Sequence, residues 1–580
     1  MLVKDRDVFF NKALDDIHKS PVISYDLETT GLSPYQGDRL IGIGVTVPDL
    51  EEGKKHRSYY IPFRHANGVN LPIELLYHFA PIVGDPNKIL TGFNVGFDVH
   101  FTEVERMPVH SQLVDVQLGA HLANENEMSF KLEDLAKKYV DPKADEAEEE
   151  LISKIRAVVG KKPARKTIKK FMYLLDPEDV APYANQDTEL TWALAEFYQY
   201  ALEQQGLSEI WYEVNEYLKT VIAMERRGVL IDVENCQRFI EATEKRSQDL
   251  MDKMIELNGG QEFNPRSVPQ LRKILKQHNT DKESLKTCKH PIAKHLYEFR
   301  AWKRAIDTYY QNFMDLMDDN RRVHPNLNPR GTVTGRLSCT NPPLQGLPKK
   351  KDQYRVRDLI VAPPGYVLMA WDYSQAEMRM LAHYTNDPFL IDAYINEKDI
   401  HGETAEAINI DREKAKRTNF SIVYGIGVPG LSGELKISEK EARSILNRYH
   451  KRIPGIKQLY YSAEKMARQK RYIEMWTGRR RHYRKDDFFH KAMSNLIQGG
   501  VAEVMRHTIT KLFSQMVGTR AYMNLQVHDE ILFEIPEDEQ GFWAPLIKRT
   551  MEDFSFRVPM IAEGKVGKNW ANMEPIEVEE

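Results

Sequence analysis

Lys414–Gly427 reads KAKRTNFSIVYGIG. Stepping back by fours from Tyr424 gives Phe420, Lys416 and Arg412. Four residues are slightly more than one helical turn, so these side chains share a face that drifts slowly round the axis. Asp411 is placed to cap the start of such a helix, and Gly425 with Gly427 to end it. The face then runs cation, cation, aromatic, aromatic over roughly 18 Å at ~1.5 Å per residue. A nucleoside triphosphate has the same order of polyanion, sugar and flat base. Both cations lie toward the helix N-terminus, where the macrodipole also favours phosphate. On spacing alone, a solvated cationic end followed by an aromatic core end fits equally well.

The surrounding chain is too long for one core. Its 580 residues predict three or four structural units. The net charge of −4 excludes a general polycation, so any nucleic-acid surface must be a local groove. Cys236, Cys288 and Cys339 lie far apart, which argues against a disulfide framework or thiolate zinc site and fits a reducing compartment. No apolar run approaches the ~20 residues that span a bilayer. The N-terminal MLVKDRDVFFNKALDD has charges throughout, unlike a secretory signal. These features predict an intracellular protein.

In chain order, residues 1–20 read as a short helix, followed by strands at PVISYDLETTGL, RLIGIGVTV and HRSYYIPF. This βββα order predicts a mixed-sheet α/β domain. The acidic run 141–150 and basic run 161–170 read as a solvated excursion. A long helix follows, carrying Tyr183 and Asp187, with a boundary near residue 205. Residues 207–320 read as helical. NPRGTVTGRLSCTNPPLQGLP reads as an extended loop, YVLMAWDYS as a strand ending in an acid, and 400–495 as helical again. LQVHDEILFEI reads as two short strands around a His-Asp-Glu turn.

Two carboxylate constellations stand out. Asp26 and Glu28 are two apart on a strand and project from one face. Asp98 closes the apolar segment TGFNVGFD at a predicted strand end, and Tyr183 and Asp187 share a helix face. Converging carboxylates repel unless divalent cations neutralise them, and two Mg²⁺ or Mn²⁺ ions there would support in-line attack on a phosphodiester. DLETTG, NVGFD and YANQD resemble, in order and spacing, the three motifs of proofreading 3′–5′ exonucleases with an Asp-Glu-Asp-Asp core and a tyrosine. The resemblance covers about residues 18–200. It implies metal ligands Asp26, Glu28, Asp98 and Asp187, with Tyr183 assisting the attacking water.

The second pair is Asp372, at the end of VLMAW, and Asp529, in QVHDE. Beside a cationic helix, two aspartates can bridge two Mg²⁺ ions that activate a primer 3′-hydroxyl and hold a triphosphate. WDYSQAEMRMLAH, RTNFSIVYG and LQVHDEILFE resemble the three signature motifs of the family A DNA polymerases, and TGRLSCTNPPLQGLP, KDIHGETA and LIQGG also match. The resemblance covers about residues 20–570 and is similar to a phage-type form without a 5′-nuclease domain. It implies an RNase H-like α/β exonuclease domain (1–205) followed by an α+β right-hand polymerase domain (206–580). The thumb would be 233–320 and the fingers 401–495. The palm would be 206–232, 321–400 and 496–580.

The same resemblance implies that Asp372 and Asp529 bind the catalytic metals, with the Tyr373 carbonyl helping and Glu530 nearby. Arg412 and Lys416 would take the triphosphate with His401 and Gln375, Phe420 the sugar, and Tyr424 the nascent base pair. Glu377 would exclude a 2′-hydroxyl. Arg336, Gln498, Gln526 and His528 would contact the primer terminus or minor groove. One departure is Ser494, where the family usually has Asn four residues before the glutamine; here the Asn is Asn495. Two basic clusters supply a candidate grip on DNA: Lys349, Lys350, Lys351, Arg355 and Arg357, and Arg479, Arg480, Arg481 and Arg484.

The activity so implied is a DNA-dependent DNA polymerase with 3′–5′ proofreading, for replication or repair. It would use two Mg²⁺ ions in each site, with Mn²⁺ as a substitute. The partners implied are primer-template DNA, dNTPs and single-stranded 3′ ends, but no membrane. The protein would be a monomer in the bacterial cytoplasm, or in that of a phage-infected host. The competing readings are an exonuclease whose second half only binds nucleic acid, and an RNA polymerase of similar palm.

Overall fold

The computed structural model describes residues 1–3, 9–49, 56–347 and 354–578. The expected Lys349–Lys351 grip lies outside these residues. Helix α1 (Phe9–Lys19) leads into β1 (Val22–Thr29), β2 (Leu40–Pro48) and β3 (His56–Pro62), which pair antiparallel. β4 (Ile89–Gly92), α2 (Val95–Val104) and β5 (Gln112–Asp115) extend the sheet on the far side of β1 with parallel pairing. The sheet order is β3-β2-β1-β4-β5.

Strand periodicity sorts the two faces. Ile23, Tyr25, Leu27, Ile43 and Val45 pack into one core with Phe10 and Ile17 of α1. The opposite face carries Ser24, Asp26 and Glu28. Helix α3 (Val116–Ala123) follows β5, and the acidic run enters α4 (Glu146–Val159). The excursion is not simply solvated, as its charge had implied. Leu151, Ile152 and Ile155 of α4, with Ile168 of the basic run and Met172 just beyond it, are buried in a core with Tyr60 and Tyr183. Leu151 and Ile155 are one helical turn apart, so an apolar stripe was hidden among the charges.

The long helix α5 (Pro177–Gln205) packs across β1, β2 and β3. Gly44 permits this approach, because a Cβ there would lie 3.1 Å from the Ala184 carbonyl. Its neighbour α6 (Ser208–Arg227) is shared between two cores. Leu207, Ile210, Trp211, Val214, Leu218 and Ile222 complete the first core, whereas Tyr217, Val221 and Met224 enter the next one.

Helices α7 (Val233–Leu257) and α8 (Pro291–Ala305) pack together with a small core of their own, including Leu250, Met254, Leu271 and Leu296. Beyond the extended 326–347 segment come β6 (Tyr366–Tyr373) and α9 (Ala376–Thr385). The helical region contains α10 (Ile400–Ile408), α11 (Arg412–Val423), α12 (Glu439–Arg452) and α13 (Pro454–Lys470). It also contains an unexpected hairpin, β7 (Tyr472–Glu474) with β8 (Arg480–His482). Then follow α14 (Ala492–Met516), β9 (Tyr522–Val527), β10 (Glu530–Pro536), β11 (Ala562–Gly567) and β12 (Glu574–Pro575). The antiparallel order is β9-β10-β6-β11-β12. No helix among the described residues is long and apolar enough to cross a membrane.

Candidate active sites

The first site lies where β1 faces α5. Asp26 and Glu28 pair in register with Gly44 and Gly42, so small residues back both acids on the neighbouring strand. Oxygens of Asp26, Glu28 and Asp187 lie within 4.8 Å of one another. Asp98 stands in the first turn of α2 rather than at a strand end. β4 stops at Gly92, and Asn94 in the left-handed region turns the chain into the helix. The Asp98 Oδ1 atom accepts the Leu27 N–H at 2.9 Å, tying α2 to β1.

Burial dominates the electrostatics. It raises the Asp26 carboxyl to about 7, with Lys169 opposing the shift and Glu133 adding to it. Burial, then Asp26 and Asp187, pushes Glu28 well above the usual carboxylate range. Asp98 and Asp187 are raised in the same way. The buried Glu28 Oε1 atom has no hydrogen-bond partner. An all-carboxylate oxygen set with an orphaned atom fits a hard divalent cation such as Mg²⁺ or Mn²⁺.

Sequence reading missed Lys169 at this site. Its Nζ donates to the Tyr183 hydroxyl at 2.8 Å and pairs with Glu148 at 2.7 Å and Glu133 at 3.3 Å. Burial opposes its charge, but Asp187, Glu133 and Glu148 more than offset that, and its pKa rises. Within a run of like cations, nothing local distinguishes this lysine. Asp115 was also missed. It accepts N–H bonds from Val95 and Leu118, so it anchors the starts of α2 and α3 together.

The second site lies at the end of β6. Asp372 sits opposite Glu530 of β10 and Glu563 of β11. Asp529 occupies the tight turn between β9 and β10, after His528 in the left-handed region. The Tyr373 N–H donates to the Asp529 carbonyl at 3.3 Å, tying the two acidic ends together. Asp372, Asp529, Glu530 and His528 line one cleft of about 420 Å³. Burial, then Asp372, raises Asp529. Two facing carboxylates, at least one with a raised pKa, again fit a divalent cation.

Helix α11 begins as its sequence required. Asp411 accepts the Lys414 N–H at 2.8 Å, and Tyr424 ends the helix before Gly425 in the left-handed region. Ala415, Asn419 and Ile422 are buried, while Arg412 and Lys416 are exposed and Phe420 is partly buried. Arg412 pairs with Asp399 at 2.5 Å. His401 is buried beside them, its Nδ1 bonded to Asn419 at 2.9 Å and its ring 5.7 Å from Phe420. At the other end, the Tyr424 hydroxyl donates to Glu377 at 2.9 Å, and Arg336 pairs with the other Glu377 oxygen.

The remaining expected contacts are distributed. Gln375 accepts from Tyr394 at 3.1 Å. Gln526 is buried, accepting from Tyr217 at 3.2 Å and donating to the His528 carbonyl at 3.0 Å. Gln498 is partly buried on α14. Ser494 turns its hydroxyl back to the Lys491 carbonyl at 3.2 Å, and Asn495 donates to Tyr483 at 2.9 Å.

The Arg479–Arg481 run does not form one DNA-facing cluster. Strand alternation turns Arg479 and Arg481 inward. Arg481 pairs with Glu125 of the first unit at 2.6 Å. Arg479 lies 3.9 Å from Glu503, and burial, then Arg506, lowers it to about 10. Burial works against the Glu503 charge, yet Arg506 and Arg479 hold its pKa below the ordinary value. Of the first basic cluster, Arg355 pairs with Asp358 at 3.1 Å, and Arg357 lies over the Trp570 ring at 4.1 Å.

A family model described as DNA polymerase family A matches residues 233–572, and one described as 3′–5′ exonuclease matches residues 4–203. DNA polymerase I of Chloroflexus aurantiacus is 29% identical, the match covering 97% of this chain and 62% of that protein. DNA polymerase I of Borreliella burgdorferi is 27% identical, covering 98% and 65%. The chain thus spans about three fifths of the length of these curated relatives. Among solved structures, the POL domain of Pol1 from M. smegmatis in complex with DNA primer-template and dNTP is similar in fold. Its TM-score is 0.78 at 21% identity, covering 98% of this chain and 99% of that one. With its polymerase model spanning more than half the residues and an exonuclease unit ahead of it, this chain belongs to DNA polymerase family A.

Proposed function

We propose that the protein is a DNA-dependent DNA polymerase that extends a primer 3′ end with dNTPs and proofreads with its own 3′–5′ exonuclease. The single observation that supports this most is the presence of two separate carboxylate sites on one chain. One is the Asp26–Glu28–Asp187 group, and the other is the Asp372–Asp529 cleft. We assign the exonuclease to residues 1–205 and the polymerase to 206–580, with the thumb, palm and fingers divided as their sequence motifs imply.

In the polymerase site Asp372, Asp529 and the Tyr373 carbonyl would hold two Mg²⁺ ions. In the exonuclease site Asp26, Glu28, Asp98 and Asp187 would hold two more, and Mn²⁺ would substitute. Such ions, when bound, neutralise phosphate charge and activate an oxygen nucleophile. Arg412 and Lys416 orient the triphosphate from the N-terminal end of α11, with His401 and Gln375 beside them. Phe420 and Tyr424 bracket sugar and base. Glu377, clamped by Arg336 and Tyr424, occupies space that a ribose 2′-hydroxyl would need. Arg336, Gln498, Gln526 and His528 lie along the primer path. In the first site, Tyr183, steadied by Lys169, orients the attacking water. The protein would act as a monomer in the bacterial cytoplasm.

Primer extension with dNTPs, and in parallel with rNTPs, tests this reading. Templated extension with dNTPs only is expected. Extension with rNTPs alone would mean RNA synthesis, and 3′ degradation without any extension would leave an exonuclease with a binding half.

A further inference from the structure

Tyr60 and His65 are buried polar side chains that stand beside the first carboxylate site without being among its acids. Strand register brings Tyr60 there. Asp26, Gly44 and Tyr60 form one row across β1, β2 and β3, and Glu28, Gly42 and Pro62 form the next. Directly opposed residues share a face of the sheet, so Tyr60 rises on the same side as both acids. Its side chain leans from its own row over the next one, because a Cβ at Gly42 would overlap the Tyr60 hydroxyl. Gly42 thus makes room for a hydroxyl in the position opposite Glu28. Opposed Cβ positions lie about 4.5–5.5 Å apart, which puts that hydroxyl within about one side chain's length of Glu28. Glu28 is also the charge that acts most strongly on Tyr60: burial, then Glu28, then Asp26 hold its pKa well above the ordinary value.

The direction of each hydrogen bond follows by elimination. The His65 Nδ1 atom lies 2.9 Å from the Leu175 carbonyl, which can only accept, so Nδ1 carries a proton. Burial lowers the His65 pKa, with the Leu175 carbonyl and Asp176 opposing the shift, and the ring is neutral at pH 7. In a neutral imidazole the other nitrogen accepts. The Tyr60 hydroxyl, 2.6 Å from Nε2, therefore donates its proton to His65. Both partners are held by their backbones. His65 exchanges two hydrogen bonds with Asn70 at 2.8 and 2.9 Å, and Tyr60 pairs with Met1 and Val3 at 2.8 and 2.9 Å. The tyrosine proton is thus committed away from Glu28, whose buried Oε1 atom has no hydrogen-bond partner.

We propose that Tyr60 and His65 are a positioning pair for the exonuclease site: His65 holds the tyrosine proton, so Tyr60 does not donate to Glu28 and the Glu28 oxygens stay free for a divalent cation. This rests on the exonuclease half of the function proposed above. Without His65 as acceptor, the buried hydroxyl needs another, and the unpartnered Glu28 oxygen is the one beside it. A hydrogen bond donated to that carboxylate is charge-assisted and competes with the cation. The pair therefore acts on metal affinity rather than on what the bound ions do.

The test is a double-mutant cycle on the full chain, read by metal affinity. His65→Asn keeps an amide donor for the Leu175 carbonyl but withdraws the acceptor from Tyr60. It should raise the Mg²⁺ concentration for half-maximal degradation of a single-stranded 3′ end by at least about tenfold, the size of one hydrogen bond to a charged group. The rate at saturating Mg²⁺ should stay within a few-fold. His65→Gln, whose longer side chain brings an accepting oxygen to Tyr60, should restore the wild-type Mg²⁺ dependence. In a Tyr60→Phe background there is no proton to redirect, so adding His65→Asn should shift nothing further. Calorimetry with Mn²⁺ on the DNA-free protein should give the same order of affinities without any turnover, in an Asp529→Asn background that disables the other cleft.

An equal shift in the Tyr60→Phe background would overturn the proposal, because His65 would then act through packing alone. So would an unchanged Mg²⁺ dependence in His65→Asn, or a His65→Gln variant no better than His65→Asn. Circular dichroism and single-nucleotide insertion at the other site confirm folding of each variant. If His65→Asn does not fold, His65→Leu runs the same cycle. Failure of the wild type to degrade any 3′ end would instead defeat the exonuclease reading, while the Mn²⁺ cycle would still judge the pair, so the two failures are distinguishable.

Discussion

Glu377 is held from two sides, by Arg336 and by the Tyr424 hydroxyl, at the junction of α9 and α11. A carboxylate fixed this way blocks space more firmly than a free one. Glu377→Ala should raise rNTP relative to dNTP use by at least about tenfold, or ~1.4 kcal/mol of lost discrimination. The ratio of kcat/KM for one rNTP and its matching dNTP measures it. At the other site, Asp26 is lifted by burial from 3.8 to about 7. Between those values the folded, metal-free protein holds a proton that the unfolded chain has released. The contribution of Asp26 is therefore most favourable at low pH and is lost as pH rises through about 7. Asp26→Asn should accordingly gain stability relative to wild type between about pH 5 and pH 8 in chelator. Added Mg²⁺ should reverse that order. Thermal melts at both pH values, with and without Mg²⁺, read the sign directly.

At the scale of elements, β8 shows why a run of arginines is not one surface. A strand turns alternate side chains to opposite sides, so Arg481 enters a buried pair with Glu125. Truncating one partner of a buried pair leaves the other charge uncompensated. Arg481→Ala should therefore lower stability by roughly 3 kcal/mol, seen as an earlier urea midpoint, with little effect on the salt dependence of DNA binding. Helix α6 makes a second point. Trp211 and Ile210 belong to the exonuclease core although they lie beyond residue 205. A fragment of residues 1–205 should expose that core and melt far below a fragment of 1–227, or fail to fold. Comparable melting of the two would show that α6 is dispensable to the first unit.

Across the whole molecule, the two carboxylate sites belong to different sheets joined by α6 and by the Glu125–Arg481 contact. Their activities should separate. Asp26→Ala with Glu28→Ala should abolish degradation of a single-stranded 3′ end and leave single-nucleotide insertion within a few-fold. Asp529→Asn should stop insertion and leave degradation, because the lost charge belongs to the Asp372–Asp529 cleft. Parallel assays of both activities on each variant check this, and a joint loss would mean one shared site.

Local rules were enough for much of this protein. The strand alternation of Asp26 and Glu28, the i,i+4 face of Arg412 to Tyr424 and the Asp411 cap depend on backbone geometry that neighbouring residues set. They were legible in order along the chain. Motif spacing likewise announced both acid pairs. Other features depend on which distant surfaces meet. Lys169 became part of the Asp26–Glu28–Asp187 site because the α4 excursion buried its hidden apolar stripe against Tyr60 and Tyr183. Asp98 moved from a strand end to a helix because Asn94 and Asp115 turned the chain there. Arg479 and Arg481 were divided from Arg480 and Arg484 by a hairpin whose two sides face different neighbours. Sequence fixes the type and spacing of charges, but burial and partner choice are long-range. Only the tertiary structure decides which charge is desolvated, which is paired and which is left facing a cleft.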